Sequence, residues 1–548
     1  MPTTESIPAN SLWRAGLRAI VWCVVLAMWG LAAGAPLASD TAGARLLVKA
    51  IAFKGNTVIA TPQLMAVAAP FIGRTLADGD LQGLLQRLTD VYLQAGFSTS
   101  RAVLPDQEAS EGVLHIDIVE GFLEQIVVSG TRAVDPAYIA ARLQTGLTAP
   151  LNLAVLNANL RLLMQERGIA NISAELAPGR KRGGALLKVA VEEAAIYTAG
   201  LRLANDRAPV VGGIHGVLDA SARNFFKRGD EIGLALGLAS GLRELDVRAS
   251  VPWSVNGPEF SVRYFRARSE LVEEQFDVFG AKTHSSALDI GVSQVLWQRR
   301  RGRLKLSASV VGKQSESSLN GQLFSFSPGV ENGKAAVRLV RLALQWQQQF
   351  ARDSLSARVA WSAGLGALGA TTHNDGLPDS RFHSAVLQLQ WLHTLGPRAG
   401  ALYLRGEAQL SSDGLLPLEK FSLGGSSSVR GYRRSRFVRD QGWAAALEYR
   451  LPLLKLPVPG LSHQTTDGQL SAVLFVDAGR AWNHDRDDFN QTDPSTTLLA
   501  AGPGLRWDIG PDTSAEIMWG AVRRHIANTG TDIQDLGVHF MVTAHRSF

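Results

Sequence analysis

Two hydrophobic periods divide this chain of 548 residues. Between residues 46 and 194 apolar positions recur at helical spacing between short strand-like runs, and from Ala195 onward they alternate with polar ones. Within the helical stretch, the same order of elements occurs twice. Strand Leu47–Phe53 turns at Gly55-Asn56 and leads to a short helix at Thr61-Pro62, with Thr61 as cap and proline at the first helical position. A second helix carries Leu81, Leu84, Leu85, Leu88, Val91 and Tyr92 and stops at Gly96. Strands Ser98–Leu104 and Val113–Val119 close the unit. The second copy has strand Leu123–Val128, Gly130 and a helix from Asp135-Pro136. A helix through Leu156, Leu160, Leu163 and Met164 follows, ending at Gly168, and then strand Leu186–Val191. A repeat of about 75 residues predicts a small βααββ domain each time.

The alternation beyond Ala195 predicts antiparallel strands with one apolar and one polar face. Leu306, Ala308 and Val310 oppose Lys305, Ser307 and Ser309; Leu355, Ala357, Val359 and Trp361 oppose Ser354, Ser356 and Arg358. Leu387, Leu389 and Trp391 alternate with Gln388 and Gln390, and Leu402 and Leu404 with Tyr403 and Arg405. In a soluble sandwich the apolar face would be the core. In a membrane barrel it faces lipid, while Arg358, Gln388, Gln390, Arg405, Glu407 and Gln409 line a wet lumen. Two features favour the barrel. All nine tryptophans beyond the first 35 residues fall after residue 195, many near strand ends, where an interfacial girdle belongs. The last strand, VHFMVTAHRSF, alternates Val538, Phe540 and Val542 and ends on Phe548.

Composition agrees with this reading. Charged residues make up 19% and there are 54 glycines, against roughly 25% charged in an ordinary soluble domain. No run of 18 apolar residues follows residue 40, which excludes helical spans there. The net charge of +6 is spread out, so nucleic acid is not implied. Residues 12–35 place Arg14 and Arg18 before an apolar stretch Ala19–Ala33 and then small residues. This is the form of a secretory signal peptide, residues 1–39, cleaved near Ala35 or Ser39. The single cysteine, Cys23, lies within it, which leaves the mature chain without thiol chemistry or a cysteine metal site.

One connection is unlike the others. Leu415–Arg439 reads LLPLEKFSLGGSSSVRGYRRSRFVR, with apolar Phe421, Leu423 and Val429, glycines at 424, 425 and 431, and five arginines toward its end. A loop so apolar and so flexible is built to tuck inward and deliver a guanidinium. FSLGG followed by Val429-Arg430-Gly431-Tyr432 resembles the pore-resident loop of the two-partner secretion transporters, bacterial outer-membrane barrels with periplasmic POTRA domains. Tyr92, Gly96-Phe97 and the run SRAVLPDQEASEGVLHIDIVEG resemble the first such domain. The terminal Phe540 and Phe548 resemble the strand that the barrel assembly machinery recognises.

The resemblance implies an all-β membrane fold, a ~16-stranded antiparallel barrel over 195–548 preceded by two α/β POTRA domains at 46–120 and 121–194. Alternation alone would allow fourteen or eighteen strands. It also implies an F-x-D-x-G in the barrel wall whose aspartate contacts the loop arginine; Phe475, Asp477 and Gly479 fit it, with Arg430 as the loop partner. By itself the segment could also be read as a strand ending in an Asp-Ala-Gly turn. The implied function is secretion of a large β-helical partner, of haemolysin or adhesin type and carrying an N-terminal secretion domain, across the outer membrane without ATP or any cofactor. Strand addition would place the partner on Ser98, Arg101 and Val103 of the first domain and on Leu187 and Val189 of the second. The other partners would be outer-membrane lipid and the assembly machinery. The residues ahead of Leu47 are too few for a full plug helix and linker. The alternatives are an outer-membrane protein assembly factor, a barrel enzyme and a passive porin.

No enzyme motif supports catalysis. Gly364, Gly366 and Gly369 match a dinucleotide fingerprint, but no helical pattern follows, so they read as a glycine-rich strand. His484-Asp485-Arg486-Asp487-Asp488 reads as a solvated loop rather than a metal site.

Overall fold

The computed structural model describes residues 46–548 apart from 109–111, 165, 167, 255–256, 465–466, 485–494 and 527–530. The signal peptide with Cys23, the segment ahead of Leu46 and the acidic stretch Asp485–Asp488 lie outside the described residues. The chain divides into two units, one ending at Tyr92 with Arg101–Val119 added, the other comprising Leu93–Ser100 and Glu120–Phe548.

The first unit contains β1 (Leu46–Val48), β2 (Ala50–Lys54), β3 (Arg74–Leu76), β4 (Arg101–Val103) and β5 (Val113–Val119), with helices α1 (Thr61–Ala68) and α2 (Asp78–Gln94). Leu84, Leu88 and Tyr92, four residues apart on α2, are fully buried, as are Leu114 and Ile116 on β5. That stripe and that strand face form the core. The main sheet has the order β2-β5-β4, with β2 and β5 parallel and β4 at the edge. Arg101 and Val103 therefore lie on an edge strand, while Ser98 sits in the turn ahead of it. Thr61 is already inside α1, whose cap position is Ala60, so it is not the capping residue its sequence position suggests.

The second unit opens with the same topology. Strands β6 (Phe122–Ser129), β7 (Ile169–Pro178) and β8 (Gly184–Glu193) form a sheet ordered β6-β8-β7, covered by α3 (Pro136–Gln144) and α4 (Leu153–Leu163). Asp135 caps α3 through the Ala137 N–H, and Asn152 caps α4. The last strand of the domain is its central one, parallel to β6 and antiparallel to β7. This corrects the assignment of Leu187 and Val189 to a capture edge. Both are 1–2% exposed in the core, and their strand's backbone is paired on either side. The counterpart of β4 is β7, the antiparallel edge strand. Glu193, at the end of β8, accepts from the N–H groups of Arg132, Ala133 and Val134. Burial works against its charge, yet these donors outweigh it and hold the carboxyl below its ordinary range.

From Tyr197 the chain closes into a barrel of sixteen antiparallel strands, β9 (Tyr197–Ala204) to β24 (Val538–Ser547). Those that matter below are β16 (Lys334–Gln349), β17 (Asp353–Gly364), β18 (His383–Gly396), β19 (Gly400–Ser411), β20 (Gln441–Lys455), β21 (Gln469–Trp482) and β22 (Ser495–Asp508). Closure joins β24 to β9, with Phe548 and Tyr197 exchanging two backbone hydrogen bonds at the end nearest the second α/β domain. Apolar side chains such as Leu218, Leu236, Ile290, Val310, Val359 and Leu474 are exposed on the outside, as a lipid-facing band requires. Among the described residues no helix is long and apolar enough to cross a membrane; the strands span it. The glycine fingerprint is not a strand: β17 ends at Gly364, and Gly366 and Gly369 lie in the following connection.

Candidate functional site

The connection between β19 and β20 turns back on itself. Phe421–Leu423 pairs with Phe437–Arg439 as a short antiparallel hairpin, and its tip carries Val429–Tyr432. Phe421, Leu423, Val429 and Tyr432 form one buried cluster with Ala444, Ala481, Leu498 and Ala500 of β20–β22. The wall makes room by using small residues. A Cβ on Gly479 would lie 2.5 Å from Leu423 Cδ1 and 3.2 Å from Val429 Cγ2, and one on Gly442 would collide with the Phe421 ring. The tip itself needs Gly431, at φ +86°, because a Cβ there would sit 2.6 Å from the Gly520 carbonyl oxygen.

Alternation on β21 sends Leu474 and Val476 outward and Phe475, Asp477 and Gly479 inward. Asp477 is flanked across the sheet by Ala446 and Ala500, two small residues that leave a slot above it. Arg430 fills the slot. Its Nε donates to Asp477 Oδ2 at 2.7 Å and its Nη2 to Oδ1 at 2.7 Å, while its backbone N–H adds a third bond to Oδ2 at 2.9 Å. The guanidinium lies 3.7 Å from the centroid of the Phe475 ring, a cation–π contact in a dry place. The Asp477 side chain is 0% exposed and that of Arg430 4%. The remaining Nη1 donates to Glu448 Oε1 at 2.6 Å, and Arg450 holds the other oxygen of Glu448 with bonds of 2.7 and 2.9 Å. Two cations and two anions alternate along this hydrogen-bonded chain, so each buried charge in it has an opposite partner.

Glu448 was not found by sequence reasoning. Its one signal was parity: on β20 it continues the inward set of Ala444 and Ala446 and stands opposite Phe475. Two further contacts hold the tip. The Gly431 N–H meets His539 Nε2 at 3.1 Å, and the Tyr432 hydroxyl lies within reach of the carbonyls of Leu499 and Arg524, its one proton shared between them. Arg433 makes a second anchorage, bidentate to Asp535 and bonded to Glu273 at 2.9 and 3.2 Å, both on connections at the barrel end remote from the second α/β domain. Phe540 and Phe548 take no part in these contacts; both lie on or beside the strand that closes the barrel, whose His539 reaches the loop tip. Among the described residues no three His, Cys, Asp or Glu side chains converge as a metal site would require.

The barrel region, residues 220–507, matches the family model described as haemolysin secretion/activation protein ShlB/FhaC/HecB, and residues 46–121 match the ShlB-type POTRA domain. The chain is 25% identical over 479 residues to the outer membrane transporter CdiB of Dickeya dadantii, covering 83% of this chain and 80% of that one. It is 24% identical over 407 residues to the hemolysin transporter protein ShlB of Serratia marcescens, covering 73% and 71%. The structure of CdiB from Escherichia coli shares the fold with a TM-score of 0.65 and 21% identity, over 94% of this chain and 93% of that one.

Proposed function

The chain belongs to the ShlB/FhaC/HecB family of two-partner secretion transporters, placed in the outer membrane with POTRA domains in the periplasm, and on that footing we propose that it secretes one large, extended β-helical partner through its lumen. The partner is captured unfolded through an N-terminal secretion domain, and its folding outside supplies the drive in place of ATP. The observation that carries this is the pore loop, held inside the barrel by a buried ion cluster rather than by covalent or permanent packing alone. The edge strands β4 and β7 supply backbone for strand addition, and they replace β8 in that role. Phe540 and Phe548 serve insertion of the barrel rather than transport.

Comparing the culture medium of wild-type cells with that of cells lacking this chain tests the proposal. Loss of one large protein from the medium, restored by a plasmid copy, is the expected result. An unchanged medium with depleted outer-membrane proteins would instead identify an assembly factor.

A further inference from the structure

The lumen holds a second ordered set of side chains, on strands other than those that carry the loop's ionic anchors. Strands β16–β18 turn Gln345, Gln347, Ser356, Arg358, Gln388 and Gln390 inward. They stand in register: Gln345 is opposite Arg358 and Arg358 opposite Gln388, while Gln347 is opposite Ser356 and Ser356 opposite Gln390. The result is two cross-strand rows rich in primary amides. They face a cavity of about 450 Å³ that is also lined by Arg405 and Glu407 of β19, by Ala444–Ala446 of β20, and by Ser427 and Ser428 of the pore loop. Among the described residues the amides of Gln345, Gln347 and Gln390 have no side-chain hydrogen bond, and Gln388 has only long ones of 3.4 and 3.5 Å. The neighbouring wall differs, because there Asp246 is paired with Arg263 and Glu259 with Lys305.

We propose that this amide wall is a binding site for extended, unfolded polypeptide, recognised through its backbone N–H and C=O groups. The proposal deepens the transport reading and rests on it, giving the lumen a defined track. A glutamine amide offers both a donor and an acceptor, so it answers either backbone group. The amide carries no charge, so within the cavity only Arg358, Arg405 and Glu407 sense a passenger's charged side chains. Inward residues two apart on a strand repeat every ~6.8 Å, which is also the two-residue repeat of an extended chain. Each amide–backbone bond replaces bonds to water and nets little. Many weak sites in series hold a chain without trapping it, which is the condition for conduction through any pore.

The test uses the whole protein in planar bilayers and two defined probes, so it is independent of the natural passenger. One probe is a 24-residue alternating Gly-Ser peptide, and the other is polysarcosine of equal length, which lacks backbone N–H. Current blockades by Gly-Ser should last about tenfold longer than those by polysarcosine in the wild type. The advantage should vanish in Gln345→Leu/Gln347→Leu/Gln388→Leu/Gln390→Leu and shrink in Gln388→Ala/Gln390→Ala, the milder variant if the fourfold one does not assemble. Ser307→Leu/Ser309→Leu, on β15 (Gly302–Leu319) of the adjacent wall, should leave it intact. Equal blockade of the wild type by both probes, absent blockade, or an equal loss in the serine variant would each overturn the track. None of those results bears on whether a passenger is secreted; an unchanged culture medium would strike the transport reading itself.

Discussion

Arg430 and Arg433 sit three positions apart on one loop, and each is held by two carboxylates, yet they are different devices. Arg430 meets Asp477 and Glu448, which project from paired strands of the barrel wall, and none of the three side chains is more than 7% exposed. Arg433 meets Asp535, in the turn Ile533–Leu536, and Glu273, just ahead of the short helix Glu274–Asp277. Those partners ride on connections and are 11–14% exposed. Rigid, dry supports make the inner pair costly to break, because a survivor is stranded without water. Partly wetted loops can relax and rehydrate, so the outer clamp steers the loop's base without fixing its tip.

The largest effect should come from breaking the inner pair. Arg430→Ala leaves Asp477 buried without its hydrogen-bonded cation, while Arg450 still pairs with Glu448. Asp477→Ala leaves Arg430 with Glu448 alone. Either should cost roughly 3–5 kcal/mol of loop anchorage, seen as larger, noisier channel conductance and sharply reduced secretion by a barrel that still assembles. The double variant should be little worse than Arg430→Ala, since both remove the same contact. Fully additive defects would sink the lock and with it the contrast between the two arginines.

Gly479→Val comes next. It leaves every charge in place but drives a side chain into Leu423 and Val429, which should cost about 1–3 kcal/mol by overpacking. The loop tip should then become protease-sensitive while the ion cluster retains its partners. Unchanged protection would show that the apolar seat contributes nothing and that charge alone sets the inner anchorage.

This ranking also explains what the sequence disclosed. Arg430 was legible from its own string, a cation beside a flexible glycine in an apolar loop, whereas Asp477 and Gly479 were singled out by the family resemblance, since their segment alone also reads as a strand ending in a turn. Glu448 was hidden, since an alternating strand with one inward glutamate looks like any wet lumen face until its neighbour across the sheet is known. Asp535 and Glu273 lie 102 and 160 residues from Arg433 on connections without a periodic pattern, so nothing local points to them. The barrel was readable from its period of two, but strand order in the α/β domains was not. A parallel β6–β8 pairing inserts the last strand between earlier ones, and hydrophobic alternation cannot tell a central strand from an edge.

The outer clamp should respond more weakly and to acid. Burial works against the Asp535 carboxylate, but the hydrogen bonds and charge of Arg433 prevail and hold its pKa below the ordinary value. A depressed carboxyl contributes fully above its unfolded value of about 3.9, and the contribution is lost as pH falls through the lower folded value. Brief gating events of the wild type should therefore become more frequent only in that acidic window. Arg433→Ala should show them already at pH 7, with secretion reduced about twofold, because Asp535 and Glu273 ride on connections that can relax and rehydrate once the cation is gone. An Arg433→Ala loss as deep as that of Arg430→Ala would erase the distinction between the two anchors.

Phe548→Ala should disturb the loop least, although it is a change at the barrel's closing seam. The backbone of Phe548 exchanges hydrogen bonds with Tyr197, and the two rings lie 6.2 Å apart. Alanine keeps the backbone bonds and loses only the ring of a residue that is 65% exposed. The folded barrel thus gives up little, whereas a nascent last strand loses the aromatic group an assembly factor would read. Fewer barrels should reach the membrane, each with wild-type conductance and secretion per barrel. If abundance is unchanged while conductance rises, the seam contributes to gating, and the two arginines are not the only elements that hold the pore.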